Sequence, residues 1–166
     1  HNGNLTNANA LRRSLEHRGS IFQTTSDTEV IVHLIARSSA RNLSSAIADA
    51  LNQVEGAYSL LLLTREELYA MRDPRGFRPL ALGRRPSPSG AESAWVLASE
   101  TCAFDLIDAE YVREIEPGEM VRISRSGIET IQFAPEKPHQ YCIFEHVYFA
   151  RPDSLVFGRP VGESRE

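Results

Sequence analysis

The hydrophobic pattern of the chain changes at Glu55-Gly56-Ala57-Tyr58-Ser59-Leu60-Leu61-Leu62-Leu63. Residues 58–63 form a continuous apolar run of strand length, which predicts a β-strand buried on both faces. Before this stretch the apolar residues follow helical spacing, whereas after it short apolar runs alternate with turn residues. The chain therefore passes here from a helical part to a sheet-forming part.

The upstream part predicts three helices. The first covers residues 6–18 and the third covers residues 43–54. The second follows Ser26-Asp27-Thr28-Glu29, in which Ser26 and Glu29 have the spacing of a capping box. Apolar residues after this motif fall on a single helical face.

The downstream part predicts short strands. They lie at residues 67–71, 79–82 and 95–98, on both sides of residues 116–119, and after the turn at Ser126-Gly127. Residues 84–94 are expected to form an exposed loop, and residues 142–150 a turn followed by a strand. Because helices precede strands without regular alternation, the expected fold class is α+β with stacked antiparallel sheets.

Composition excludes several classes of protein. The 166 residues carry 42% hydrophobic and 24% charged residues and a net charge of −4, which is typical of a globular domain. No apolar run is long enough to cross a membrane. No lysine- or arginine-rich face suggests nucleic-acid binding. Two cysteines, Cys102 and Cys142, are too few for a disulfide scaffold.

Five motifs in order resemble the glutaminase domain of class II glutamine amidotransferases. They are His1-Asn2-Gly3-Asn4-Leu5, Ser26-Asp27-Thr28-Glu29, Glu55-Gly56-Ala57-Tyr58-Ser59, Arg72-Asp73-Pro74-Arg75-Gly76 with Arg78-Pro79-Leu80, and Ala98-Ser99-Glu100-Thr101. The run from Phe144 to Ser154 is most similar to the amidophosphoribosyltransferase branch. The resemblance implies an N-terminal-nucleophile hydrolase fold, with two stacked antiparallel sheets between helical layers, incomplete in this chain.

The resemblance also implies how the chain is organised. Residues 1–150 would be a partial glutaminase domain, and residues 151–166 would begin a linker to a phosphoribosyltransferase domain. The nucleophilic cysteine is expected before His1 and the second domain after Glu166, so that the 166 residues alone would be inactive. Pro160-Val161-Gly162 departs from the helix that the family usually has at this point.

Asn2 and Gly3 are the expected catalytic residues. In the implied mechanism a cysteine thiolate attacks the side-chain amide of glutamine, with its own α-amino group as the base. The Asn2 side chain and the Gly3 backbone N–H would form the oxyanion hole, since both can donate to a developing oxyanion. The alternative is an ordinary Asn-Gly turn.

Asp27 is the expected anchor for the α-ammonium group of glutamine. The alternative is an acid that stabilises the dipole at the start of a helix. Glu29 is assigned to structure. His1 is expected to position its loop rather than to act as a base, since the implied mechanism uses the amine of the nucleophile.

The arginine-rich motif and the cysteines have more than one interpretation. Arg72, Asp73, Arg75 and Arg78 are expected to form a buried ion-pair cluster with a structural role rather than the floor of the site. The resemblance makes Cys142 one possible ligand of a [4Fe–4S] cluster in a longer parent protein, and a small buried apolar residue is the alternative. Cys102 is expected in the core.

The expected activity is transfer of the glutamine amide nitrogen to phosphoribosyl pyrophosphate, which gives 5-phosphoribosylamine in the first step of purine synthesis. Mg²⁺ would accompany phosphoribosyl pyrophosphate in the missing domain. The family implies a cytoplasmic homo-oligomer without nucleic-acid or membrane partners. The alternatives are an inactive glutaminase-like binding module and another class II enzyme such as glucosamine-6-phosphate synthase. An open sheet edge could also support dimerisation.

Overall fold

The computed structural model describes residues 1–87 and 93–165. The helices are α1 (Ala8–His17), α2 (Thr28–Arg37), α3 (Leu43–Leu51) and α4 (Cys102–Asp105). The longer strands are β1 (Asn2–Leu5), β2 (Gly56–Leu63), β3 (Leu68–Arg72), β4 (Ala81–Arg85), β5 (Ala94–Ala98), β6 (Glu110–Glu114), β7 (Glu119–Ser124) and β8 (Gly127–Gln132). Two short strands, β9 (Leu155–Val156) and β10 (Arg159–Pro160), follow a π-helical turn at Glu145–Phe149, and a 3₁₀ turn covers Glu163–Arg165. No helix in residues 1–87 or 93–165 is long and apolar enough to span a membrane.

The larger sheet carries the helical layer. Its strand order is β1-β2-β3-β7-β8, and every neighbouring pair is antiparallel. Apolar residues of α1, α2 and α3 pack against one face of this sheet, where Ile47, Tyr58 and Met120 are almost completely buried. This layer is the largest part of the core.

The smaller sheet packs on the opposite face of the larger one. Its order is β5-β4-β6. Ala70 of β3 and Val121 of β7 share a buried cluster with Leu80, which leads into β4. Helix α4 covers the outer face of the smaller sheet, and the absence of a side chain at Gly83 leaves room for the Phe104 ring. The resulting helix–sheet–sheet–helix order confirms the predicted α+β class.

The strand at residues 58–63 departs from the prediction. Tyr58 and Leu60 are buried under the helices, but Leu61 and Leu63 on the opposite face are 49% and 79% exposed. The cluster between the sheets contains residues of β3 and β7 and none of β2. The expectation of burial on both faces was therefore wrong for the end of β2, because the smaller sheet does not cover it.

The predicted capping box also does not form. Helix α2 begins at Thr28, and the Glu29 carboxylate accepts from the backbone N–H groups of Gln23 (2.7 Å) and Thr24 (2.8 Å) instead of Ser26. The spacing of Ser26 and Glu29 allows a capping box, but the loop before α2 folds back and its N–H groups bind the Glu29 carboxylate. Glu29 therefore fixes that loop to the first turn of α2.

The C-terminal part differs from the predicted strand. Residues 145–149 form a π-helical turn, closed by a hydrogen bond from the Ala150 N–H to the Glu145 carbonyl (3.0 Å). Pro160 lies in β10 of a small hairpin, consistent with its unsuitability for a helix interior. Within the predicted loop 84–94, β4 extends to Arg85 and β5 begins at Ala94, while residues 88–92 lie outside the described part of the chain.

Candidate functional site

The free edge of β1 carries the candidate oxyanion donor. The Thr6 N–H points toward the β2 side and bonds the Glu55 carbonyl (2.8 Å), whereas the Leu5 N–H points away and bonds the Asp27 carboxylate (2.9 Å). Backbone directions alternate along an antiparallel strand, so the Gly3 N–H points to the same free edge as that of Leu5. Asn2 and Gly3 lie in a strand, so the alternative of an ordinary Asn-Gly turn was wrong. Their role in an oxyanion hole stays a prediction.

Gly3 is also required by the contact between β1 and β2. Its φ is +151°, a backbone angle that residues other than glycine rarely adopt. A Cβ at this position would overlap the Ala57 carbonyl oxygen. Gly56 on β2 has a φ of +135°, and its Cβ would overlap the Asn4 carbonyl oxygen. The two strands therefore approach closely at both glycines, and this approach fixes the Gly3 backbone at the edge.

Asp27 is brought to this edge from the start of α2. Its Oδ2 accepts from the Leu5 N–H, while its Oδ1 lies 3.3 Å from the Thr28 hydroxyl and 3.5 Å from His1 Nδ1. Asp27 occupies the N-cap position, but its side chain makes no capping hydrogen bond to the helix. The side chain is 27% exposed, so the carboxylate remains accessible to a ligand. Its role as substrate anchor stays a prediction.

The donor and the candidate anchor are held at a fixed spacing. Gly3 and Leu5 are two residues apart on one strand, which corresponds to about 7 Å. The Gly3 N–H and the Leu5-bound carboxylate therefore lie along one strand edge at a separation on the scale of a glutamine side chain. This arrangement can bind an amide at one end and an ammonium group at the other.

His1 closes the site at the start of β1. Its imidazole is only 8% exposed, and Nδ1 lies 2.8 Å from the Thr28 hydroxyl. The ring thus ties β1 to the first residue of α2. Thr28 is not among the site residues predicted from the sequence, although it lies within the Ser26–Glu29 motif. No side-chain pattern indicates that the Leu5 N–H is a partner of Asp27.

The Arg72–Arg78 motif is largely structural. Arg72 is fully buried and donates to the carbonyls of Gly76 (3.0 Å) and Ile115 (2.7 Å) and to the Glu114 carboxylate (3.1 Å). The predicted burial of this motif agrees with the structure for Arg72 and for Asp73, which is 1% exposed.

In residues 1–87 and 93–165, no arginine side chain pairs with the Asp73 carboxylate, contrary to the expected ion-pair cluster. Its carboxylate accepts from the N–H groups of Tyr58 (3.2 Å), Arg75 (2.9 Å) and Phe77 (3.1 Å). Burial raises the pKa of this carboxyl, and the three backbone bonds oppose the shift. Asp73 therefore shapes the turn after β3 and fastens it to β2.

The Ala98–Thr101 motif contacts the end of the Phe144–Ser154 run, next to the hairpin of β9 and β10. The Glu100 carboxylate accepts from the Arg151 N–H (2.7 Å) and the Ser154 hydroxyl (3.1 Å), and the Thr101 hydroxyl accepts from the Leu155 N–H (2.8 Å). Neither Glu100 nor Thr101 was predicted to have a role from the sequence. Their contacts with a segment about 50 residues later have no signal in local sequence pattern.

The cysteines do not form a metal centre in the described residues. Cys102 is buried, as predicted, and Cys142 is partly buried with its Sγ 3.7 Å from an Arg78 nitrogen. No group of three or more His, Cys, Asp or Glu side chains in residues 1–87 and 93–165 could hold a metal ion. Since a [4Fe–4S] cluster needs four thiolate ligands, this chain does not fit such a cluster by itself.

Comparisons with known proteins point to one enzyme group. The model of a glutamine amidotransferase domain family matches residues 1–105. The chain is 53% identical to a chloroplastic amidophosphoribosyltransferase of Glycine max, with 100% of this chain and 28% of that protein covered. It is 45% identical to the amidophosphoribosyltransferase of Bacillus subtilis, with 100% of this chain and 34% of the relative covered. The chain thus spans about a third of the length of these relatives.

A solved structure has the same fold. The glutamine phosphoribosylpyrophosphate amidotransferase of B. subtilis, complexed with ADP and GMP, superposes with a TM-score of 0.90 at 45% identity. The match covers 96% of this chain and 34% of that chain. A class II glutamine aminotransferase domain protein of Silicibacter pomeroyi, at 19% identity and a TM-score of 0.55, resembles the chain in fold alone.

Proposed function

The chain belongs to the family of glutamine amidotransferase domains, and from this premise we propose that it provides the oxyanion hole and the glutamine anchor of a glutaminase site. Its fold is that of the N-terminal-nucleophile hydrolases, with stacked antiparallel sheets between helices, as the family resemblance implied. The observation that carries the proposal is the shared free edge of β1, which holds the Gly3 N–H and the Asp27 carboxylate.

In the proposed mechanism, glutamine lies along this edge. Asp27 accepts hydrogen bonds from the α-ammonium group through Oδ1, while Oδ2 remains on Leu5. A cysteine thiolate, supplied by a segment preceding His1 in a longer protein, attacks the amide carbon and forms a C–S bond. The Asn2 amide and the Gly3 N–H donate to the resulting oxyanion.

The intermediate then collapses with loss of ammonia. The C–N bond breaks as the leaving nitrogen takes a proton from the α-amino group of the nucleophile, which acted as the base. Water hydrolyses the remaining thioester to glutamate and restores the thiol. The residues of this chain bind and orient the substrate and stabilise negative charge.

For the longer protein, we propose amidophosphoribosyltransferase activity. Ammonia replaces pyrophosphate on Mg²⁺-bound phosphoribosyl pyrophosphate and gives 5-phosphoribosylamine. Support comes from the names of relatives that match this whole chain at 45–53% identity. These matches favour this enzyme over an inactive binding module and over glucosamine-6-phosphate synthase. The division into residues 1–150 and 151–166 stays a prediction.

Cellular location, assembly and the cluster remain part of the proposal. We propose a cytoplasmic location, as predicted, whereas the plant relatives are named chloroplastic. A homo-oligomer and a cluster in which Cys142 is one ligand are proposed for the longer protein only. Elemental analysis and light scattering of that protein would test both.

The deciding experiment measures pyrophosphate release by the full-length protein with phosphoribosyl pyrophosphate and glutamine. We expect release only when glutamine or ammonia is present, and loss of the glutamine-driven reaction in Asp27→Asn. The matched control is Asp49→Asn, since Asp49 lies on α3 and contacts Ser38. Formation of glucosamine-6-phosphate from fructose-6-phosphate and glutamine would contradict the assignment.

The 166-residue chain gives a second test. We expect no ammonia release from glutamine by this chain alone, and weak glutamine binding by calorimetry that Asp27→Asn abolishes. Turnover above background would instead make Cys102 or Cys142 a nucleophile and overturn the proposed mechanism.

A further inference from the structure

Three polar side chains at the site form a closed triangle, and the proposed mechanism uses only one of them, Asp27. The Thr28 hydroxyl lies 2.8 Å from His1 Nδ1 and 3.3 Å from Asp27 Oδ1, and His1 Nδ1 lies 3.5 Å from the same oxygen. His1 directly precedes Asn2, and Thr28 directly follows Asp27. The triangle therefore links the neighbour of a candidate oxyanion donor to the candidate substrate anchor.

The protons in this triangle can be assigned by counting donors. A carboxylate only accepts, and a threonine hydroxyl has a single proton to donate. The arrangement in which donors point toward the charge gives the stronger, charge-assisted hydrogen bond. Thr28 then donates to Asp27 and accepts from His1, so His1 carries its proton on Nδ1.

The His1 and Asp27 side chains of the triangle differ in their exposure to solvent. The His1 ring is 8% exposed and the Asp27 side chain 27% exposed, so the ring is shielded while the carboxylate still faces solvent. Oδ2 is held by the Leu5 N–H, and Thr28 restrains Oδ1. Both carboxylate oxygens are therefore fixed before a ligand arrives.

We propose that Thr28 is a positioning residue for the glutamine site, which fixes the Asp27 carboxylate and the His1 tautomer and thereby holds Asn2 in register with the anchor. This inference rests on the proposed function. Binding of the ammonium group depends on Asp27, and charge stabilisation in the transition state depends on Asn2. Loss of Thr28 therefore affects both KM and kcat, whereas loss of anchoring alone would affect KM.

The first experiment is kinetic and uses the full-length protein with Thr28→Val, Thr28→Ser and the control Thr130→Val. Valine keeps the shape and removes the hydroxyl, serine keeps the hydroxyl, and Thr130 lies on β8 at the opposite edge of the sheet. We expect Thr28→Val to lower kcat/KM for glutamine about tenfold or more, with KM raised and kcat lowered. Thr28→Ser and Thr130→Val should stay near wild type, as should the ammonia-driven reaction of all variants.

The second experiment reads the tautomer directly. Nitrogen NMR of the labelled chain, above the titration range of the imidazole, should show the Nδ1-protonated form of His1. In Thr28→Val the signal should shift toward the Nε2-protonated form, and in Thr28→Ser it should not. Thermal unfolding of each variant establishes that the fold is retained.

The outcomes separate this inference from the proposed function. Absence of glutaminase activity in the wild-type protein would overturn both. Normal wild-type activity with Thr28→Val within about twofold of it, or with Thr28→Ser as impaired as Thr28→Val, would overturn the role of Thr28 alone. An unchanged His1 tautomer in Thr28→Val would do the same.

Discussion

The Arg78 guanidinium donates to the Glu145 carboxylate at 2.6 Å and joins the start of the π-helical turn to the body of the domain. Glu145 is 4% exposed, and the Arg78 carbonyl accepts from the Ser59 hydroxyl on β2. Arg78 also lies over the Phe149 ring at 5.2 Å. One arginine thus connects the larger sheet to both ends of that turn.

Replacing Arg78 with methionine should destabilise the chain by about 3 kcal/mol, because the buried Glu145 carboxylate loses its partner. Urea unfolding measures the change. The control is Arg151→Met. Both side chains of the Arg151–Asp153 ion pair are exposed, so this pair should contribute little to stability. Equal stability of Arg78→Met and the wild type would contradict a structural role for this pair.

Gly3→Ala should destabilise the chain more than Gly127→Ala. Both glycines have positive φ, and strain alone costs about 1–3 kcal/mol at such positions. Nothing lies within 4 Å of a Cβ at Gly127, whereas a Cβ at Gly3 overlaps the Ala57 carbonyl oxygen. Chemical denaturation of the two variants gives the loss of unfolding free energy that this overlap adds. An equal loss in both variants would mean that β1 moves away from Ala57 without cost.

Stability should fall in acid through Glu29. Hydrogen bonds from the Thr24 side chain and from the backbone of Gln23 lower the pKa of this carboxyl from 4.5 to about 2. Because the pKa is lower in the folded state, the ionised Glu29 carboxylate contributes fully to stability above about pH 4.5. This contribution is lost as the pH falls toward 2. Unfolding curves across this range should show a smaller acid dependence for Glu29→Gln than for wild type.

The matched control for this pH dependence is Glu136→Gln, in the exposed segment before β9. It should keep the acid dependence of the wild type. A Glu29→Gln curve that runs parallel to the wild-type curve would show that the hydrogen bonds of this carboxylate do not contribute to folding.

Thr101→Val should loosen the C-terminal hairpin without unfolding the domain. The Thr101 hydroxyl accepts from the Leu155 N–H at 2.8 Å, and valine removes that acceptor while keeping the side-chain shape. Amide hydrogen exchange at Leu155 should accelerate about fivefold, since a hydrogen bond contributes about 1 kcal/mol. The Ile47 amide in the core serves as the internal reference, and acceleration at both sites would indicate global destabilisation instead.

Much of the architecture was accessible from sequence because its signals are local. Helical spacing predicted α1, α2 and α3, and Ser126-Gly127 predicted the hairpin between β7 and β8. The five motifs similar to class II glutamine amidotransferases identified the family. The prediction for Leu63 failed because a distant segment decides its environment, since the smaller sheet does not cover it. The capping box failed through nearer competitors, the backbone N–H groups of Gln23 and Thr24.

Local sequence was enough to place α1, α2, α3 and most strands, because backbone preference and hydrophobic period act over a few residues. It was not enough for residues 145–149, which form a π-helical turn instead of a strand. Tertiary structure was needed to show that Asp27 accepts from the Leu5 N–H, 22 residues earlier, instead of capping its own helix. A carboxylate accepts whichever N–H the fold leaves without a partner. The unpaired edge of β1 exists only once β1 has paired with β2, 51 residues further along the chain at the Leu5–Gly56 pair.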